Sequence, residues 1–200
     1  MLRLGVAFVF VWARVSNVKL FRLVLTGLFF AVCPARLTAA DPLVGQPAPD
    51  WQLTNWLNSA PLALKELRGQ VVLVRWWTAP QCEFCRVTAP ALNGFHTDFA
   101  TQGLRVIGIY HHKARTPLDP QQVAARAAEF GFKFPVAIDP GWRTLRRWWL
   151  DGHERDFTSV SFLLDRRGVI RHIHPGGQYV RGDADYAALK AKMVELLAEK

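Results

Sequence analysis

Residues 71–77, VVLVRWW, form an unbroken and largely apolar run, and Cys82 and Cys85 follow it across Thr78-Ala-Pro-Gln81. Such a run, entered from Gly69, predicts a strand covered on both faces. Behind the cysteines, Phe84, Thr88, Leu92, Phe95 and Phe99 recur at helical spacing and predict a helix over 82–101, kinked at Pro90. A Cys-x-x-Cys pinned between a buried strand and a helix restricts the chain more than any other feature. The pair is half of a zinc site, a structural staple, or a dithiol that cycles with a disulfide. A staple closing so small a loop constrains the unfolded chain little. A tetrahedral zinc site needs four ligands, and the chain has no second cysteine pair. A Cys-x-x-Cys beside a βαβ pattern points to the redox dithiol.

The rest of the pattern supplies that frame. Residues 104–110, LRVIGIY, predict a second buried strand. Asp119-Pro120 opens a helix, with Asp119 as N-cap, Pro120 at the first helical position and Gln122 completing a capping box. Its inner stripe is Val123, Ala127 and Phe130, and Gly131 ends it. A short strand is expected at 135–139 and a short helix at 142–149, where Trp142, Leu145 and Trp149 form the stripe. Strands at 159–164 and 169–174 flank the turn Asp165-Arg-Arg-Gly168. Tyr186, Leu189, Met193 and Leu196 mark a C-terminal helix.

The first forty residues differ in kind. They hold Arg3, Arg14, Lys19, Arg22 and Arg36, no acid, the apolar stretch LVLTGLFFAV at 23–32, and small residues at Thr38-Ala39-Ala40. That is the layout of a secretory signal peptide, with cleavage expected after Ala40. The alternative is an uncleaved anchor, although the stretch is short against the roughly 20 apolar residues a spanning helix needs. Residues 4–13, LGVAFVFVWA, form a second apolar stretch, which allows a start downstream of Met1. Cys33 lacks the small preceding residue of a lipoprotein signal, because Val32 stands there. The remaining 160 residues make one domain. Five of the 25 basic residues lie in 1–40, leaving 20 against 16 acidic, a net of +4. No dense basic run is present in 41–200, so nucleic-acid binding is not expected. In an exported chain the cysteine pair is normally oxidised.

The sequence resembles the redoxin branch of the thioredoxin superfamily, and within it the TlpA/ResA-type exported thiol–disulfide oxidoreductases. The resemblance rests on VGQPAPDW at 44–51, VVLVRWWTAPQCEFC at 71–85, the Pro90-bearing helix, and SFLLDRRGVIRHI at 161–173. It implies an α/β thioredoxin-like fold: a central mixed sheet flanked by helices, with an extra helix–strand insertion at 119–139. It departs at Gln81, where the family commonly has Trp, and at Thr158-Ser159, where the family places a cis-proline facing the dithiol.

On this resemblance Cys82 is the nucleophile, set at a helix N-terminus that favours its thiolate, and Cys85 is the resolving cysteine one turn on. The strand directions then gather Gln81, Glu83, Thr158, Ser159, His111, His112 and His174 at one sheet edge as supporting residues. A histidine there can hold a proton near neutral pH. The bland alternative is that these are solvated loop histidines. Trp76 and Trp77 are expected as core under the cysteines. Trp148, off the 142/145/149 stripe, is a candidate partner-facing ring, and Arg143, Arg146 and Arg147 a solvated face. Glu83 beside Cys82 disfavours a second negative charge, so the expected couple is reducing. No cofactor beyond the Cys82–Cys85 disulfide is expected, and no metal. The expected partners are a protein or small-molecule disulfide and an upstream electron donor, membrane-bound or soluble, with the chain itself a monomer. Two other functions stay open: a peroxiredoxin-like thiol peroxidase, with Cys82 peroxidatic and Cys85 resolving, and a metal-binding or copper-delivery module using Cys82, Cys85 and the edge histidines.

Overall fold

The computed structural model describes residues 41–199; the expected export segment, 1–40, lies outside the described residues. Six strands form one sheet in the order β1-β4-β3-β2-β5-β6. The centre is β2, Val71–Trp77, every residue of which is buried. It runs parallel to β3, Leu104–Tyr110, in unbroken register from Val71 opposite Leu104 to Trp77 opposite Tyr110. β4, Val136–Ile138, continues the parallel part beside β3. On the other side β5, Ser161–Leu164, is antiparallel to β2, and β6, Ile170–His174, is antiparallel to β5. The mixed sheet with flanking helices is the thioredoxin-like arrangement the sequence implied. The helix–strand insertion is α2, Pro120–Glu129, leading to β4.

The apolar run of β2 is continuous because both sheet faces are covered. Val71, Leu73 and Trp77 pack with α1, Glu83–Phe99, and α4, Ala184–Ala198, through Cys85, Leu92, Phe95, Leu189 and Met193. Val72, Val74 and Trp76 pack on the opposite face with Leu64, Leu145, Trp148, Trp149 and Phe162. The two tryptophans are therefore core, one on each face.

Four expectations are corrected. Trp148 is fully buried and lies 5.4 Å from Trp76 and 5.3 Å from Phe162, ring centroid to centroid, so it fills the second core instead of facing a partner. The backbone explains why the stripe misled. After α3, Arg143–Leu145, the chain widens into a π-helical turn, Arg146–Leu150, which brings consecutive Trp148 and Trp149 inward together. Asp119 caps α2 through the Gln121 N–H at 2.9 Å, not through a box closed by Gln122. Strand β1, Thr54–Leu57, lies outside the expected elements; Asn55 within it and Asn58 just after it hold positive φ (48° and 62°), which breaks the regular alternation of a strand. The helix after the cysteines starts at Glu83, with Cys82 outside it as the cap, and includes Pro90.

Candidate active site

Cys82 is the N-cap of α1, extended in its backbone, and its Sγ accepts the Cys85 N–H at 3.2 Å. Its carbonyl accepts the Arg86 N–H at 3.1 Å, the first bond of the helix. Cys82 and Cys85 are joined in a disulfide with Cα atoms 5.2 Å apart. The two sulfurs are unequal: Cys82 is half-buried, whereas Cys85 is 2% exposed and part of the α1 core. The unsatisfied N–H groups of the first turn and the helix dipole converge on Cys82. The arrangement leaves the Cys82 sulfur open to an attacking thiol, with Cys85 one turn behind it in the core.

Within the motif, Glu83 is fully exposed and pairs with Arg86, whose Nε donates to Oε2 at 2.9 Å. Arg86 holds the Glu83 carboxyl below its ordinary range. Phe84 is exposed and stands edge-on to Phe157, centroids 5.8 Å apart. That contact places the loop before β5 beside the motif. The loop is tied down at three points. The Trp149 indole N–H donates to the Phe157 carbonyl at 2.7 Å. Gly176, at φ 124°, leaves space for Phe157, since a Cβ there would meet the Phe157 Cβ at 2.1 Å. Thr158 Oγ1 bonds His111 Nε2 at 2.9 Å.

The edge residues are not equivalent. His111 follows β3, its N–H donating to the Trp77 carbonyl at 3.0 Å, and its ring packs edge-on to Trp142. It is fully buried; burial first, and Lys113 second, push its pKa down to about 3, so it is neutral at physiological pH. His112 bonds the Tyr110 hydroxyl through Nδ1 at 3.1 Å and the Thr116 carbonyl through Nε2 at 2.6 Å. It lines a cavity of about 70 Å³ with Ala79, Pro80, Tyr110 and Asp119. His174, at the end of β6, is buried, edge-on to Tyr179 at 4.9 Å and 3.5 Å from Asp185 Oδ2. Thus His111 and His174 are not solvated loop residues. The three histidines hold different partners, Thr158, Thr116 and Asp185. Ser159 is buried, and Gln81 is exposed. Among the described residues no three of His, Cys, Asp and Glu gather as metal ligands.

One residue escaped attention within the strand pattern. Arg75 is 0% exposed on β2, with Nη2 donating to the Gly177 carbonyl at 2.7 Å and Nη1 to Ser161 Oγ at 3.3 Å. Its guanidinium lies 5.3 Å from the Tyr179 ring centroid. A lone cation inside a run covered on both faces was the available signal.

A family model described as AhpC/TSA family matches residues 44–173. Among curated proteins, the chain is similar to Protein DipZ of Mycobacterium tuberculosis, 32% identical over 154 residues that cover 75% of this chain and 20% of DipZ. The chain thus spans about a fifth of the length of that relative. It is also 26% identical over 129 residues to the thiol-disulfide oxidoreductase ResA of Bacillus anthracis, covering 64% of this chain and 66% of ResA. Among solved structures, a thiol-disulfide isomerase from Corynebacterium glutamicum superposes with a TM-score of 0.59 at 31% identity, over 76% of this chain and 98% of that one.

Proposed function

The chain belongs to the AhpC/TSA family, and we propose that it is an exported thiol–disulfide oxidoreductase acting through Cys82 and Cys85. The observation that carries the reading is the asymmetric pair: a half-exposed sulfur at the cap of α1, bonded to a buried one a turn behind it. Cys82 attacks a protein or small-molecule disulfide, and Cys85 resolves the mixed disulfide by attacking Cys82. An upstream electron donor then reduces the pair again. Export rests on the acid-free, apolar character of residues 1–40. Among the described residues no helix is long and apolar enough to cross a membrane.

The direction of flow is reduction of substrate. Beside the helix dipole, the only hydrogen bond to Cys82 Sγ among the described residues is from the Cys85 backbone N–H, and the nearby cation Arg86 is engaged by Glu83. A thiolate with so little side-chain support leaves the couple near the reducing end. The test is trapping with a potential measurement. Cys85→Ser should accumulate mixed disulfides and Cys82→Ser should not react. The parent potential should fall below about −200 mV. Trapping by Cys82→Ser alone reverses the roles of the cysteines, and a potential near about −120 mV removes the reductase direction. Peroxide consumption by the parent with a dithiol donor, at a rate exceeding disulfide exchange, replaces this reading with the peroxidase.

A further inference from the structure

Among the described residues Arg75 has no acidic partner. Its hydrogen bonds go to a hydroxyl and a carbonyl, its Nε has no partner among the described residues, and no ion pair includes it. A buried cation without a counter-charge is costly, and such groups are normally paired. Side chains alternate along a strand, so Arg75 shares a face with Leu73 and Trp77, which pack in the same core as Cys85. The Tyr179 ring, beside the guanidinium, is held from α1: its backbone N–H donates to Thr88 Oγ1 at 3.3 Å, and Thr88 lies one turn beyond Cys85. The other groups around Arg75 supply no negative charge. Ser161 and His174 stand in register with it across β5 and β6. Tyr179 has its pKa raised by burial, and His174 has its own lowered by burial and then by Arg75. His111 and Lys113 lie at the β3 edge, Asp185 lies beyond His174 and is mostly exposed, and Glu83 and Arg86 pair on the outer surface.

We propose that Arg75 is the counter-charge of the reduced site, stabilising the Cys85 thiolate that appears when the Cys82–Cys85 bond opens. When a donor dithiol reduces the site, the Cys82–Cys85 bond breaks and a disulfide forms in the donor. Two electrons pass to the cysteine sulfurs, and the donor releases two protons. Without Arg75 the proton destined for Cys85 stays on that sulfur; with it, that proton goes to solvent. The thiolate so kept is the group that attacks Cys82 Sγ in a mixed disulfide and expels the substrate thiolate. Burial alone acts the other way, because an apolar setting raises a thiol pKa.

This role rests on the exchange chemistry proposed above, and its test uses the protein alone, equilibrated with a defined dithiol such as dithiothreitol. In Arg75→Met the equilibrium constant for reduction should fall about tenfold, equivalent to roughly 30 mV for two electrons. Arg75→Lys should keep the parent value. In the Cys82→Ser background, the ultraviolet absorbance of the Cys85 thiolate should titrate below about 8.5, the value of a free cysteine, and Arg75→Met should move it upward. An unchanged equilibrium and titration in folded Arg75→Met overturns the proposal. If Arg75→Met does not fold, the Cys85 titration in the Cys82→Ser protein decides: below about 8.5 supports the role, above it overturns it. Failure of the parent to turn over disulfide substrates bears on the proposed function, not on this titration.

Discussion

His111 shows how one side chain links the site to stability. It joins the end of β3 to the loop before β5 through Thr158, from a buried position where a charged ring is disfavoured. Its folded pKa of about 3 lies below the ordinary value of 6.5. Between those values the unfolded chain binds the proton and the folded chain does not, so stability is complete above the unfolded value and declines as pH falls toward the folded one. The gap corresponds to about 5 kcal/mol. His172 and His174, also lowered by burial, add to the same slope. Urea unfolding near pH 7 and near about pH 4.5 should show a steep loss in the parent and a smaller loss in His111→Gln; equal losses would remove His111 as the source. The sequence placed His111 at the right edge through the parallel pairing of β2 and β3, but not its burial. That comes from Trp142 and Thr158, 31 and 47 residues further along the chain.

At the scale of the element, β2 and α1 carry the chemistry because their sequence patterns are strong and local. A continuous apolar strand and a 3.6-residue stripe need no distant information to be legible. The charge balance in the first turn of α1 was less legible. Glu83 alone argued against a thiolate at Cys82, yet Arg86 at i+3 takes that charge in a surface pair that is modest in energy. Glu83→Gln frees Arg86 as well as removing an anion, and both changes favour the thiolate. Its potential should rise by less than about 20 mV, and Arg86→Gln should shift it the other way. A fall in Glu83→Gln counts against the electrostatic account of the turn. The turn at 146–150 and the short β1 were illegible for a different reason. A π-helical widening and left-handed Asn residues depart from the periods that sequence patterns report.

For the whole molecule, the proposed boundary between export segment and domain falls at Asp41. Residues 1–40 have a targeting composition, and the fold is already engaged at Asp41. Its Oδ2 accepts a 2.7 Å bond from Arg155, whose guanidinium lies 3.8 Å from the Trp149 ring centroid. The expected first residue of the mature chain is thus anchored to the segment that leads to Phe157 and Thr158. N-terminal sequencing of protein exported by a native-type host should begin near Asp41; residues 1–40 found intact would replace cleavage with an anchor.

By itself the sequence determined the order and type of the main elements, the mixed thioredoxin-like sheet, and a dithiol at the cap of a helix. The elements and the dithiol follow from short-range periodicity, β-branched composition and the placement of two cysteines, and the mixed sheet from the resemblance those motifs carry. Only the tertiary structure decided which polar groups are buried and what they meet. Arg75 finds Ser161 and Gly177 at separations of 86 and 102 residues, and Tyr179 finds Thr88 at 91. Burial and electrostatic environment are properties of surfaces brought together by the fold. A cation that reads as one polar position in a strand becomes an uncompensated charge only when the sheet is covered on both sides.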